Sequence, residues 1–590
     1  MFTKLMHLNQ LIEKDHPKTL LERLNQGLPS SYVHGIAICF SPDTGQYLGL
    51  RTVEGSGNVV YREASGANGY AVTAVQCLSG KPYSTVGKLK RAVADLSQNL
   101  PHIKPSLELI NNNYVEETIT AELEAKIKEL DINVDSRGYL FVAFYHENKI
   151  TPLYEFPDIQ ERMIQKTLIE QYGKADKYSA ISHEKTCSIC GTTGRKVYGN
   201  FSLLKCYNLD KPGMITGGFS YDKTPAQNFP VCEECLTAVS SAKNYVEDNL
   251  SFNLCGNSYW VIPEIQINDE SFSKIILEIM GNRQTNSLET ENIRNITGDE
   301  NEILEELADA SQGNDNVSMT MVFYEESNSS WRILAEIPEV LPSRIHTIYK
   351  VKHDIEKNPY LQIKTKKGGF SFTFKTIKQF AGNDLHVSQK KFMKYIEAVF
   401  TGEPISYDCF VNDLATGLMY QSKQNPELLG FTSRDALASW LFMYQLGIIK
   451  KEDGCNMKDE MFQSGDNNYM QFLNNHKDYF DCNEKIVAFL TGCYISKVLY
   501  AQKSKLSSSP FFKKLRGLKI DKKRLESLYP EARNKIQQYD AFGLVKEIDS
   551  MLAQKWIECG NQWKISDSET TLAFTLGISL DYQVNNVESN

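Results

Sequence analysis

Apolar positions along this chain change their period several times. HGIAICF (34–40) and YLGLRTV (47–53) read as strands around the polar turn SPDTGQ. TAELEAKIKEL (120–130) repeats its apolar residues at helical spacing, and GYLFVAFYHE (138–147) is a short apolar strand. Strands and helices are mixed over residues 1–155 without the alternation of a doubly wound sheet, which predicts an α+β region. Residues 156–275 hold two cysteine pairs and then NLSFNLCGNSYWVIPEI (249–265), again strand-like. A further α+β region is expected over 276–400. Its residues 285–316 are polar, acidic and rich in asparagine, as in a linker or surface excursion. VSMTMVFYEE and SWRILAEI follow as a strand pair around SNS. From about residue 375 the spacing is mainly helical, so 401–590 is predicted to be a helical region with a compact bundle from about 470. The expected fold is α+β and multidomain: an amino-terminal α+β region with an embedded four-cysteine zinc knuckle, then a carboxy-terminal helical bundle.

Composition narrows the class. A chain of 590 residues has room for about three or four domains, and its 30 Tyr and 28 Phe supply ample core. The amino terminus has no apolar signal region, and no apolar run reaches the ~18–20 residues that span a bilayer. A cytoplasmic location is expected, so the 13 cysteines read as thiols or metal ligands rather than disulfides. Nine lie singly and read as small buried hydrophobes.

The other four form two close pairs. Cys187-x2-Cys190 is followed at once by Gly191, and Cys232-x2-Cys235 closes the segment 41 residues on. Two thiolates in one tight turn can face the same ion, and two such turns complete a tetrahedral site. Chance placement of 13 cysteines yields about a quarter of one such pair. The residues therefore point to structural Zn2+ on Cys187, Cys190, Cys232 and Cys235, with no position left open for water. His183 and Cys206 are alternative ligands. A redox pair is the rival, without the βαβ context it needs.

The insertion 191–231 carries Arg195, Lys196, Lys205, Lys211 and Lys223 against Asp210 and Asp222. Its glycines 213, 217 and 218 allow close backbone approach to a partner. Cations there suit phosphates, and Gln227 and Asn228 are candidate readers of base edges; a solvated loop is the plain alternative.

Net charge is −9 overall, but basic residues are segregated. Lys497–Lys535 holds twelve Lys and Arg against three acids, and Lys350–Lys394 eleven Lys against three. A third small group is Lys81, Lys88, Lys90 and Arg91. Segregation of this kind suits a phosphate-binding face. Its candidates are Lys513, Lys514, Arg516, Lys519, Lys522, Lys523 and Arg524. Lysine predominance favours backbone contact over base readout, because Lys lacks arginine's fork. The alternative is a lysine-solvated helix surface.

Enzyme motifs are sparse. There is no G-x4-GK[ST] loop, no G-x-G-x-x-G after a strand, and no HExxH or G-x-S-x-G. His353-Asp354 occurs once, near His346.

Several stretches together resemble one family: CSICG, KCYNLDKPGMITGGF, NFPVCEECLTAV, GNSYWVIPEI, RILAEIPEVLPSRI, FFKKLRGLKIDKKRLESLYPEARNKIQQY and NQWKISDSETTLAFTLGISL. The chain resembles, over most of its length, the large subunit of type I-B CRISPR effector complexes (Cascade). The resemblance implies a non-enzymatic subunit at the crRNA 5′ end. It would read the protospacer-adjacent motif on double-stranded target DNA, help open the duplex and support the displaced single strand. It would then help recruit a separate helicase-nuclease, while the guide RNA checks sequence. Implied protein partners are the backbone, crRNA 5′-end-binding and small subunits of the complex, and no membrane. The resemblance also implies a small-subunit-like carboxy terminus, with Met457, Met461 or Met470 as a possible internal start. Two other readings stay open on the residues alone: a metal-dependent nuclease acting through His353 and Asp354, and a zinc-stabilised scaffold that touches only protein.

Overall fold

The structure, a computed structural model, describes residues 1–14, 16–55, 58–64, 69–78, 80–133, 137–175, 178–201, 203, 225–265, 317–327, 330–363, 369–382, 385–451, 467–561 and 563–586. The acidic stretch 285–316, Cys206, Met457 and Met461 lie outside the described residues. The fold is α+β, with the described sheets lying before residue 341 and a helical carboxy-terminal region after it. Two compact units form: Met1–Tyr245 with the short Asn328–Trp331, and Val246–Ser327 with Arg332–Asn590. No helix among the described residues is long and apolar enough to cross a membrane.

The first unit is built on β1 (Tyr32–Phe40), β2 (Tyr47–Glu54), β3 (Val75–Cys77), β4 (Arg137–His146) and β5 (Lys149–Pro152). Their order is β2-β1-β4-β3, with β5 also on β4. The predicted β1–β2 hairpin is present, antiparallel with Ile36 opposite Thr52. β1 also pairs in parallel with β4, Ile38 opposite Val142, a hundred residues on. Both central strands are covered on both faces, so Ile36–Phe40 and Leu140–Ala143 are unbroken buried runs rather than alternating ones. The Pro82–Asn99 helix packs on β3 and β4, and the Lys104–Asn113 and Glu116–Glu129 helices pack on it. Glu122, inside the predicted 120–130 helix, closes the edge strand: its carboxylate accepts from Tyr47 Oη (2.6 Å) and the Leu50 backbone N–H (2.8 Å).

A minimal pair, β6 (Lys174–Ala175) and β7 (Tyr178–Ser179), leads into the three-stranded sheet of β8 (Ile181–Lys185), β9 (Arg195–Tyr198) and β10 (Val231–Cys232). This sheet carries the cysteines. It is held to the chain's start by the rings of Phe2, Phe201 and Phe229, 4.7–5.6 Å apart. Arg23 adds a second tie, paired with Glu13 at 2.6 Å and donating to Thr237 Oγ1 at 3.4 Å.

The second unit begins with an antiparallel meander of β11 (Ser251–Leu254), β12 (Asn257–Ile265), β13 (Val317–Ser327) and β14 (Ser330–Val340). The strand-like stretch 249–265 is thus two strands, not one. Cys255 and Gly256 both take positive φ (53° and 84°) and turn the chain between them. Helices follow from Pro342, earlier than the spacing suggested. The core of this unit is the crossing of the Asn483–Leu506 and Asp567–Asn585 helices. Glu484–Ile495 is buried all round, as a central helix must be. At the crossing Gly492 faces the Phe574 carbonyl and Gly577 faces the Phe489 carbonyl: an added Cβ would stand 2.2 Å and 2.0 Å from those oxygens. Only glycine lets the two backbones approach so closely.

Beside the crossing, Lys485 is fully buried. Its ammonium meets Asp481 at 2.9 Å and Glu569 at 3.6 Å, and donates to Tyr407 Oη at 3.1 Å. Tyr407 and Lys451 in turn reach Glu569, at 3.1 Å and 2.9 Å. Burial acts to raise the Glu569 pKa, but the Lys485 and Lys451 charges and the Ser566 N–H outweigh it and hold it below its ordinary value.

Candidate metal centre and basic surface

The knuckle is made by two local devices. The first is the turn between β8 and β9. Gly191 N–H donates to the Cys187 carbonyl (2.9 Å) and Cys187 N–H to the Thr192 carbonyl (3.0 Å). Gly191 and Gly194 take φ of 71° and 70°, with nothing within 4 Å of where a Cβ would stand. Glycine is needed there for its backbone, not for space. The second device is the step from β10 into the Glu233–Asn249 helix, which sets Cys232 at the strand end and Cys235 in the first helical turn. Ser188 N–H donates to the Pro230 carbonyl (2.8 Å) and clips the two turns together.

All four sulfurs lie within 4.8 Å of one another. Cys190 and Cys232 Sγ are 3.9 Å apart. A tetrahedral thiolate site with metal–sulfur bonds of ~2.3 Å needs sulfurs ~3.8 Å apart. The geometry and the all-thiolate donor set therefore fit zinc. Cys187, Cys232 and Cys235 are buried, while Cys190 reaches the surface beside Thr192 Oγ1, 3.3 Å away. The Cys235 thiol and backbone, with the thiols of Cys187 and Cys190, hydrogen-bond to Cys232 and bring it down to about 6 against its burial. Cys235, by donating that bond, is pushed well up. Cys232 N–H also donates to Cys187 Sγ (3.4 Å). His183 is exposed and stands outside this group. Among the described residues the four cysteines are the one cluster able to hold a metal; His353, half-buried, and Asp354, exposed on the Pro342–Glu356 helix, join none.

The basic side chains fall into two sets. Around the knuckle, Arg195 is paired with Glu234, and Lys196 with Glu233 (3.1 Å), which also accepts from Tyr198 Oη (2.7 Å). These cations fasten β9 to the cysteine-bearing helix. Lys205, Lys211 and Lys223 lie outside the described residues, as does the Gln227 side chain; Asn228 is half-buried at the end of the Pro225–Asn228 helical turn.

In the carboxy-terminal basic segment the acids are already used. Glu531 meets Lys514 (2.9 Å) and Arg524 (3.2 Å), Glu526 lies 3.7 Å from Lys522, and Asp521 caps the Arg524 N–H. Lys497 is drawn inward to Asp581 at 2.9 Å. Exposed Lys503, Lys513, Lys519 and Lys523 have no such partner among the described residues. The Arg516 side chain lies outside the described residues. The 3-10 segment Pro510–Leu518 packs on the Asn483–Leu506 helix through Phe511 N–H to Gln502 Oε1 (2.9 Å). It also packs on the end of the Tyr407–Gln424 helix: a Cβ built on Gly517 would stand 2.6 Å from Lys423 Cε. Lys423 thereby joins the cationic surface from about a hundred residues away, and no local charge count could have found it.

Residues 184–340 match the family model described as the central domain of CRISPR-associated protein TM1802, and residues 372–589 match its C-terminal domain. Both cysteine pairs fall in the first stretch and the basic carboxy-terminal segment in the second. The search of curated proteins returns no match.

Proposed function

With more than half of its length matched, the chain belongs to the CRISPR-associated TM1802 family, and from that premise we propose that it is the non-catalytic large subunit of a type I-B RNA-guided DNA surveillance complex. In this reading it works in the cytoplasm at the crRNA 5′ end, beside the backbone, 5′-end-binding and small subunits. It recognises the protospacer-adjacent motif, assists duplex opening, steadies the displaced strand and helps recruit the helicase-nuclease. Structural zinc on the four cysteines pins the turn between β8 and β9 to the start of the Glu233–Asn249 helix. Beyond family membership, the observation that carries the nucleic-acid part is the set of exposed lysines, 503, 513, 519 and 523, left over after the local acids are paired. Uncompensated surface lysines release counterions from a phosphate backbone and give salt-dependent affinity.

The test is a salt titration of single-stranded and motif-bearing duplex DNA binding. Glu substitution of Lys513, Lys519 and Lys523 together should weaken binding at least tenfold at moderate salt. It should also flatten the log–log salt slope by roughly two, at ~0.7 per phosphate contact on single strands. Unchanged affinity and slope would favour a protein-only scaffold. Mg2+- or Mn2+-dependent cleavage that disappears in His353→Ala would overturn the non-catalytic reading.

A further inference from the structure

In the helical unit a cleft of about 350 Å³ opens beside the basic surface. Phe380 packs against Gly417, where a Cβ would meet its ring at 2.6 Å, and the two form one wall of the cleft. Lys378, Gln379, Tyr420 and Gln421 also line it. Tyr420 is 44 % exposed, large for an aromatic ring, and its hydroxyl has no partner among the described residues. The Gln379 amide nitrogen is committed to Thr376 O (3.1 Å) and Asp435 Oδ2 (3.0 Å), and the Gln421 nitrogen to Asn425 O (3.0 Å). Each amide oxygen is thus left as an acceptor. Asp435 is paired with Arg434 at 2.7 Å, which offsets its repulsion of a phosphate. Lys378 is turned to the Cys255 carbonyl (2.5 Å). Tyr420 lies three residues before Lys423 on the same helix, a spacing that puts both on one face. Lys423 in turn abuts Gly517 of the basic segment.

We propose that this cleft takes one unstacked nucleobase of a single-stranded nucleic acid whose backbone runs over Lys423 and the Pro510–Leu518 segment. Tyr420 supplies a stacking face. The amide oxygens of Gln379 and Gln421 accept from the N–H groups that every base carries, so recognition is tolerant of sequence. The proposal rests on the nucleic-acid reading above and adds a base pocket to a surface that otherwise holds only phosphates.

The experiment compares the full-length protein's affinity for a labelled oligo-dA with that for an abasic strand of equal length, by fluorescence anisotropy across salt. The base pocket predicts tighter binding of oligo-dA. Tyr420→Ala should remove about 5- to 150-fold of oligo-dA affinity, the range of one base–aromatic stack. It should leave the abasic strand and the salt slope unchanged, and Tyr420→Phe should restore affinity. Equal binding of both strands, or an oligo-dA affinity indifferent to Tyr420→Ala, overturns the pocket while a steep salt slope keeps the basic surface. Failure to bind either strand overturns both readings.

Discussion

Single residues show how burial sets chemistry here. His476 is 1 % exposed, with Nε2 2.8 Å from Asn358 Nδ2 and Nδ1 2.8 Å from the Phe472 carbonyl. Both contacts are satisfied by a neutral ring that donates from Nδ1 and accepts at Nε2. Burial pulls its pKa from 6.5 to about 4. The unfolded chain therefore binds a proton that the folded one refuses. Stability from this group is complete above pH 6.5 and is lost as pH falls toward 4, by about 3 kcal/mol in all. Thermal melting between about pH 6.5 and 5, above the midpoints of ordinary carboxylates, should fall in the natural chain and fall less in His476→Gln. At the knuckle, all four sulfurs must be thiolates to hold an ion, so metal binding is also folding energy. About one zinc per chain is expected from elemental analysis. Cys232→Ser should abolish it, and a chelator should lower the melting temperature of the natural chain but not of the variant. A well-folded chain that carries no metal would sink this reading.

At the level of elements, propensity and packing give opposite answers at the central helix crossing. Replacing a helical glycine by alanine ordinarily stabilises by about 1 kcal/mol. At Gly577 the new Cβ would lie 2.0 Å from the Phe489 carbonyl oxygen and 3.0 Å from the Cys493 nitrogen. Backbone cannot rotate aside as a side chain can, so the helices must separate. Gly577→Ala is expected to destabilise by about 3 kcal/mol, at the upper end of overpacking effects. A urea midpoint that stays level or rises would show that the crossing relaxes freely. The knuckle shows the same division between local and tertiary causes. Its turn glycine and cysteine spacing are local and legible in the chain. The pairing of Arg195 and Lys196 with Glu234 and Glu233 joins residues 37–39 positions apart, which no spacing pattern records.

Over the whole molecule, charge is sorted by tertiary pairing. The carboxy-terminal segment's basic residues divide into cations bound to acids, such as Lys514, Lys522 and Arg524, lysines bound to neutral oxygens, Lys505 and Lys535, and exposed lysines left to solvent. The helical carboxy-terminal part also draws on residues before it. Lys485 and Glu569 are satisfied through Tyr407 and Lys451, and the Tyr479 ring packs edge-on against Trp440 at 5.0 Å. Met470, the one suggested internal start among the described residues, lies in the Asn468–Asn475 helix. A chain beginning there would keep a buried lysine and lose two of the groups around it.

By itself the sequence determined whatever depends on neighbours in the chain: strand and helix character, the β1–β2 hairpin, and four cysteines in two tight turns. These follow from backbone geometry over a few residues. The tertiary structure alone decided what depends on residues far apart: the parallel pairing of β1 with β4, which lysines stay unpaired, and the presence of Lys423 and the Tyr420 cleft beside the basic segment. An ion pair or a cleft is set by distances in space, and a spacing pattern along one chain carries no record of them.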